Sequence, residues 1–188
     1  MNIEKYSQEE IFELVRKCLS RLYHDDGVLF RRNSGEALGE RCLVFRFAYH
    51  LQNEIDDYYV DCDYNSSFQL ELGPDGRQKV TEIPEKDIDD PNGTSRRRYV
   101  DIIVHRREYS FDTDFFCFEV KKWNNHDREG EKKDLNNLDR MTSDYRYQYG
   151  FHVILGKTKN QTIWTVFSRR LNGNGALIDK QLVFSRSV

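Results

Sequence analysis

The chain has few of the features that mark zinc-bound, disulfide-linked or membrane-spanning proteins. Its four cysteines are scattered over 188 residues with no C-x-x-C spacing, so neither a zinc centre nor a disulfide framework is supported. No apolar run approaches the roughly 20 residues that a membrane-spanning helix needs, and the first residues, MNIEKYSQEE, are rich in charge. We therefore expect reduced, packed cysteines, no membrane partner and a cytoplasmic protein.

The chain also lacks a large net charge. Its 29 Lys and Arg residues stand against 32 Asp and Glu residues, which gives a formal charge of −3 at pH 7. This balance argues against a protein that coats nucleic acid by bulk electrostatics, because phosphate neutralisation needs clustered positive charge. Local basic clusters remain, and any one of them taken singly is best explained as solvated surface charge. Their members include Arg96, Arg97, Arg98, Arg106 and Lys122.

One domain is enough for this length, because about 100 to 200 residues close a single core. Hydrophobic residues make up 38% and aromatic residues 13% of the chain, which is a globular profile without repeats or low-complexity tracts. All three prolines fall between Gly73 and Arg98, where we expect a mobile loop over about residues 84–97. The sequence thus predicts a single domain over residues 1–188, with its core over about 35–167.

Hydrophobic periodicity predicts helices at the start of the chain and strands after them. Apolar residues recur at helical spacing over 8–23, with Ser7 as the N-cap, and again from Leu43 to Ile55. Glu40 is in register with the second apolar stripe, so it either faces the protein or is a helix N-terminal acid favoured by the macrodipole. The remaining segments predict strands at YYVDCDYNSSFQLEL, RQKVTEI, YVDIIV, FFCFEV, GFHVILG, QTIWTVF and LIDKQLVF, with a helix at DLNNLDRMTSDYRY.

Two of these segments, YVDIIVHRR and FFCFEVKK, carry carboxylates and a lysine within apolar runs. If they form an antiparallel hairpin centred near Ser110, Asp101 lies opposite Glu119, because both are nine residues from the centre. The twofold period of a strand then places Lys121 on the same face as Glu119. The opposite face is apolar and must be core: Phe116, Phe118 and Val120.

Adjacent carboxylates repel each other unless a cation or a shared proton lies between them. Oxygen ligands of this kind suit Mg²⁺ or Mn²⁺, which commonly takes one or two carboxylates together with phosphate and water. An ammonium at Lys121 would hold or deprotonate an attacking water and offset charge on a phosphate. The pattern favours metal-assisted phosphodiester hydrolysis, and the alternative is an ion-pair network at a sheet edge.

The run VDIIVHRR…FFCFEVKK, preceded by a helix that carries Glu40 and followed by a helix and a strand, resembles the PD-(D/E)XK nuclease superfamily. It is similar to a group of small bacterial restriction-endonuclease-like proteins. The resemblance implies a restriction-endonuclease-like α/β fold with αβββαβ order and a mixed central β-sheet flanked by helices. It also implies that Asp101, Glu119 and the carbonyl of Val120 bind Mg²⁺ or Mn²⁺, that Lys121 is the catalytic lysine and that Glu40 supports the site.

Two positions depart from the superfamily pattern. Val100 stands where a proline commonly precedes the aspartate, and Asp63 stands where a glutamate is expected. The resemblance implies a metal-dependent DNA endonuclease, and cutting both strands of a duplex would suit a homodimer. Arg96, Arg97, Arg98, Arg106 and Lys122 would contact phosphates. The alternative is a module of the same fold that binds nucleic acid or a partner protein without cutting, in a defence or mobile-element system.

Overall fold

The computed structural model describes residues 6–30, 39–64, 67–72, 78–83, 100–106, 114–125, 127–143, 147–169 and 176–184. Over these ranges the chain is mixed α/β. Its elements are α1 (Gln8–Asp25), a 3₁₀ helix (Gly27–Phe30), α2 (Glu40–Gln52), β1 (Tyr59–Tyr64), β2 (Ser67–Leu72), β3 (Gln78–Ile83), β4 (Val100–His105), β5 (Asp114–Lys122), α3 (Arg128–Ser143), β6 (Tyr149–Leu155), a 3₁₀ helix (Lys159–Gln161), β7 (Ile163–Ser168) and β8 (Ala176–Leu182).

A six-stranded mixed sheet forms the centre of the fold, with strand order β1-β4-β5-β6-β7-β8. Neighbouring strands are antiparallel except β5 and β6, which are parallel. A parallel pair needs a crossover connection, and α3 supplies it. Strands β2 and β3 pair separately as a two-stranded antiparallel ribbon, and β3 confirms the strand predicted at RQKVTEI.

The β4–β5 pairing has the predicted register. Ile102 lies opposite Phe118, as predicted, and the register shifts only at the other end of the pair, between Val104 and His105. Continued by one residue, the same register places Asp101 across from Glu119. The hairpin prediction, on which the candidate site depends, is therefore confirmed.

Helices cover both faces of the sheet. On one face, α2 packs against the apolar side of β5 through Phe47 and Phe118, and α1 packs on β6 and β7 through Phe12. The Phe118 ring stacks on that of Phe151 with 4.9 Å between centroids. The predicted apolar face of β5 is thus confirmed as core. On the other face, α3 packs over a smaller apolar cluster that includes Ile103, Cys117 and Leu138.

The first helix follows its sequence signals closely. Ser7 caps α1 in a capping box, in which its hydroxyl accepts the backbone N–H of Glu10 while the Glu10 carboxylate accepts the Ser7 N–H. The helix runs to Asp25, two residues beyond the predicted end. Helix α2 begins at Glu40 after Gly39, which makes no side-chain cap.

Some predictions fall on parts of the chain outside the described residues. They include the loop over 84–97 and the arginines Arg96, Arg97 and Arg98. Among the helices of the described ranges, none combines the length and the apolar character needed to cross a bilayer.

Candidate active site

The candidate site lies where β5 ends and α2 begins. Asp101 stands at the start of β4, Glu119 and Lys121 stand near the end of β5, and Glu40 is the first residue of α2. Because β4 and β5 are antiparallel, the start of one strand meets the end of the other. The structure therefore brings together the four residues that the sequence predicted for the site.

The Asp101 carboxylate is fixed by the backbone of β5. Its Oδ2 accepts the N–H of Val120 at 2.7 Å. Burial raises the pKa of Asp101, and the Val120 hydrogen bond and the Lys121 ammonium offset only part of that rise. Since the N–H and C=O of one strand residue point to the same neighbouring strand, the Val120 carbonyl also points toward the Asp101 side.

Glu119 is the most deeply buried carboxylate of the site, with 3% of its surface exposed. Its Oε1 accepts a hydrogen bond from Asn137 Nδ2 at 3.5 Å. Burial raises the pKa of Glu119 well above its usual value, and the nearby charges of Asp101 and Asp134 raise it further. Ionised Glu119 is thus poorly compensated by the protein alone, and a cation bound beside it would relieve the cost.

Lys121 points toward other carboxylates. Its Nζ lies 3.0 Å from Asp134 Oδ2 and 3.9 Å from Glu40 Oε1; over the described residues, its ion pairs do not include Asp101 or Glu119. Burial lowers the pKa of Lys121, but the facing carboxylates outweigh burial and the net shift is upward. The side chain is therefore an ammonium at neutral pH.

Glu40 ties the start of α2 to the end of β5. Its Oε2 accepts the backbone N–H of Lys122 at 3.1 Å and the side-chain amide of Asn125 at 3.5 Å. Of the two interpretations that the sequence left open, the structure thus supports a carboxylate that faces the protein. A helix N-terminus also favours negative charge, so both effects act in the same direction.

Asp134 is a further acidic residue of the site that the sequence analysis missed. It lies on α3 with only 9% of its surface exposed. Its Oδ2 lies 3.9 Å from Nε2 of His152. His152 is the residue of β6 that pairs with Glu119 of β5. A signal was present in the sequence. Asp134 precedes the buried Leu138 by four residues, so it falls on the apolar stripe of α3 just as Glu40 does on that of α2.

The basic residues predicted to contact phosphates lie in different places. Lys122 follows Lys121 on the opposite face of β5, and its ammonium lies 6.0 Å from the centroid of the Trp123 ring. Arg106 follows the far end of β4 and lies over the Tyr58 ring at 4.9 Å. The structure therefore keeps Lys122 near the site but does not bring Arg106 to the carboxylates.

The donor set of the site fits a hard divalent cation. Within the described ranges, no three or more His, Cys, Asp or Glu side chains form a ready metal centre. Asp101, Glu119 and the Val120 carbonyl instead offer two carboxylates and one backbone oxygen. This set suits Mg²⁺ or Mn²⁺, which keeps several waters when it binds. Burial raises the pKa of both carboxyls, so their ionised forms are costly unless a cation lies beside them.

Comparison of the chain with protein-family models and with curated proteins finds no match in either case. Its function is therefore inferred from its own side chains and their surroundings.

Proposed function

We propose that this chain is a divalent-metal-dependent nuclease of the restriction-endonuclease-like type, with DNA as its substrate. The observation that carries the proposal is the meeting of Asp101, Glu119 and Lys121 on one face at the end of the β4–β5 hairpin, with Asp101 fixed on the Val120 N–H. Two adjacent carboxylates and an ammonium suit a reaction in which negative charge grows on a phosphate.

The order of elements supports the same proposal. Without the β2–β3 ribbon, the elements from α2 to β6 follow as helix, three strands, helix and strand. This is the αβββαβ order that the resemblance implies. The ribbon is an insertion in the chain between β1 and β4.

Asp101, Glu119 and the Val120 carbonyl would hold the cation. The Val120 N–H engages one acceptor site of the Asp101 carboxylate, and the remaining lone pairs would be available to the cation. When bound, Mg²⁺ or Mn²⁺ supplies Lewis-acid polarisation of the phosphate and neutralises part of its charge. The protein's contribution is to fix these oxygens on a rigid sheet before substrate arrives.

Lys121 would act as a charged hydrogen-bond donor. The sequence left two roles open, holding the attacking water or deprotonating it. Because the facing carboxylates raise the pKa of Lys121, an ammonium that orients water and offsets phosphate charge is favoured over a neutral amine that removes a proton. Glu40, 3.9 Å from the ammonium, helps to hold it at the site.

Cleavage of supercoiled plasmid, single-stranded DNA and RNA with Mg²⁺ or Mn²⁺ tests the proposal. We expect Lys121→Ala to lose at least about a hundredfold in rate, as is common when a group that handles a proton or a water is removed. Lys157→Ala removes an exposed lysine and is the matched control. Unchanged cleavage by Lys121→Ala, or no cleavage of any of these substrates by pure wild-type protein, would contradict the proposal.

The form of the product distinguishes further possibilities. A two-fold dimer on duplex DNA would give linear product, whereas a single site acting alone would give nicked circles first. Binding of DNA that is indifferent both to metal and to Asp101→Ala would instead favour a module that binds without cutting.

A further inference from the structure

The ammonium of Lys121 interacts electrostatically with four carboxylates of the site, those of Glu40, Asp101, Glu119 and Asp134. Its close contact, at 3.0 Å, is with Asp134. Glu40 is more distant, at 3.9 Å, and its other oxygen already accepts the Lys122 N–H. Asp134 is therefore the main partner that fixes the direction of the Lys121 side chain.

We propose that Asp134 is a positioning residue that holds the Lys121 ammonium away from Asp101 and Glu119, and so leaves these two carboxylates open to a divalent cation. The inference rests on the proposed function, because it concerns the same metal site. It assigns to α3 a part in metal binding that neither the hairpin nor the resemblance implies.

The position of Asp134 is set by close packing of α3 on the sheet. A Cβ added to Gly150 of β6 would lie 3.2 Å from Cβ of Leu138 and 3.3 Å from Cγ2 of Thr142, so the glycine allows the helix to approach at this point. Asp134, Leu138 and Thr142 are four residues apart and are all buried. The carboxylate therefore sits on the rigid inner stripe of the helix.

Without the charge of Asp134, the lysine would have a nearby alternative. Its four-carbon stem is flexible, and the ionised forms of Asp101 and Glu119 are poorly compensated. An ammonium that pairs with them would relieve the same charge imbalance as a divalent cation and would compete with it for the same oxygens. Loss of the Asp134 charge should thus weaken metal binding through Lys121.

Calorimetric titration of Mn²⁺ alone into the full chain tests the proposal without any measurement of cleavage. We expect Asp134→Asn to weaken Mn²⁺ binding by about tenfold, the lower end of the effect of altering groups that orient metal ligands. In a Lys121→Met background, the same substitution should change the affinity by less than about twofold, because the competing ammonium is gone. Asp139→Asn removes an exposed charge from the same helix and is the matched control.

The outcomes separate this proposal from simple electrostatics and from the proposed function. An equal loss of affinity with and without Lys121 would show that Asp134 acts only through its charge, and would overturn the proposal. No loss in Asp134→Asn would overturn it too, while wild-type cleavage and Mn²⁺ binding would still support the nuclease. Wild-type protein that binds no Mn²⁺ would overturn both. Thermal unfolding checks each variant, and Asp134→Ser replaces the Asn variant if the latter does not fold.

Discussion

Replacing Glu119 by glutamine should make the metal-free protein more stable and at the same time remove its activity. Glu119 is 3% exposed, its neighbours Asp101 and Asp134 are both acidic, and its side-chain hydrogen bond to Asn137 is long, at 3.5 Å. A buried charge with so little compensation costs about 1–2 kcal/mol of stability. Glutamine keeps the size of the side chain and the acceptor oxygen but removes the charge.

The extra stability of the glutamine variant over the wild type should depend on pH, in a direction fixed by the raised pKa of Glu119. Because this pKa is higher in the folded than in the unfolded chain, the folded state binds more protons, and wild-type stability falls as pH rises above the usual value of 4.5. The glutamine variant lacks this dependence. Its advantage should therefore be small near pH 4.5 and largest at neutral pH.

Thermal unfolding in EDTA, at several pH values, measures the effect. For a chain of this size, about 1–2 kcal/mol corresponds to a rise in Tm of roughly 2–8 °C at neutral pH. In a second set of measurements without EDTA, Mg²⁺ at a concentration of about one hundred times its Kd should stabilise the wild type by about 2.7 kcal/mol. It should stabilise the variant much less. Glu129→Gln, at an exposed position, should change stability by under about 0.5 kcal/mol. A glutamine variant that is less stable than the wild type at neutral pH would refute the reasoning.

Two further predictions concern the surroundings of the site. Gly150→Val should lower the free energy of unfolding in urea by about 1–3 kcal/mol and slow cleavage, because the new side chain pushes Leu138 and Thr142 away from the sheet. Unchanged stability would mean that α3 can shift freely. Arg106→Ala should leave the cleavage rate within about twofold of wild type. The reason is distance, because Arg106 is five residues, or roughly 16 Å of extended strand, from Asp101. A tenfold loss of rate would instead place DNA along the far end of β4.

The sequence predicted the core of the site because the residues concerned obey local rules. The opposition of Asp101 and Glu119 needs only the centre of one hairpin, and strand period then places Lys121. Glu40 was predicted because a carboxylate in line with an apolar stripe must face the protein or the helix end. Each inference used a spacing within one helix or one short hairpin.

The parts that the sequence could not supply depend on contacts between distant elements. Asp134 carried the same stripe signal as Glu40, but nothing local indicates that α3 crosses over the carboxylate face of β5. The hydrogen bond of His105 Nε2 to Asp61 Oδ2, at 2.8 Å, likewise requires the pairing of β1 with β4. Arg106 was expected near the phosphates from its place in the basic run, whereas strand direction carries it to the other end of the sheet.

The hydrogen bond from the Lys122 N–H to Glu40 joins residues 82 positions apart. Such a contact closes a long loop, and its entropic cost must be met before the contact stabilises anything. The helix that carries Glu40 is synthesised well before the strand that it binds, so the site cannot assemble on a nascent chain until β5 has emerged and joined the sheet. A partly made chain therefore lacks the complete site, and protection of the Lys122 amide from hydrogen exchange should mark the moment at which α2 joins β5.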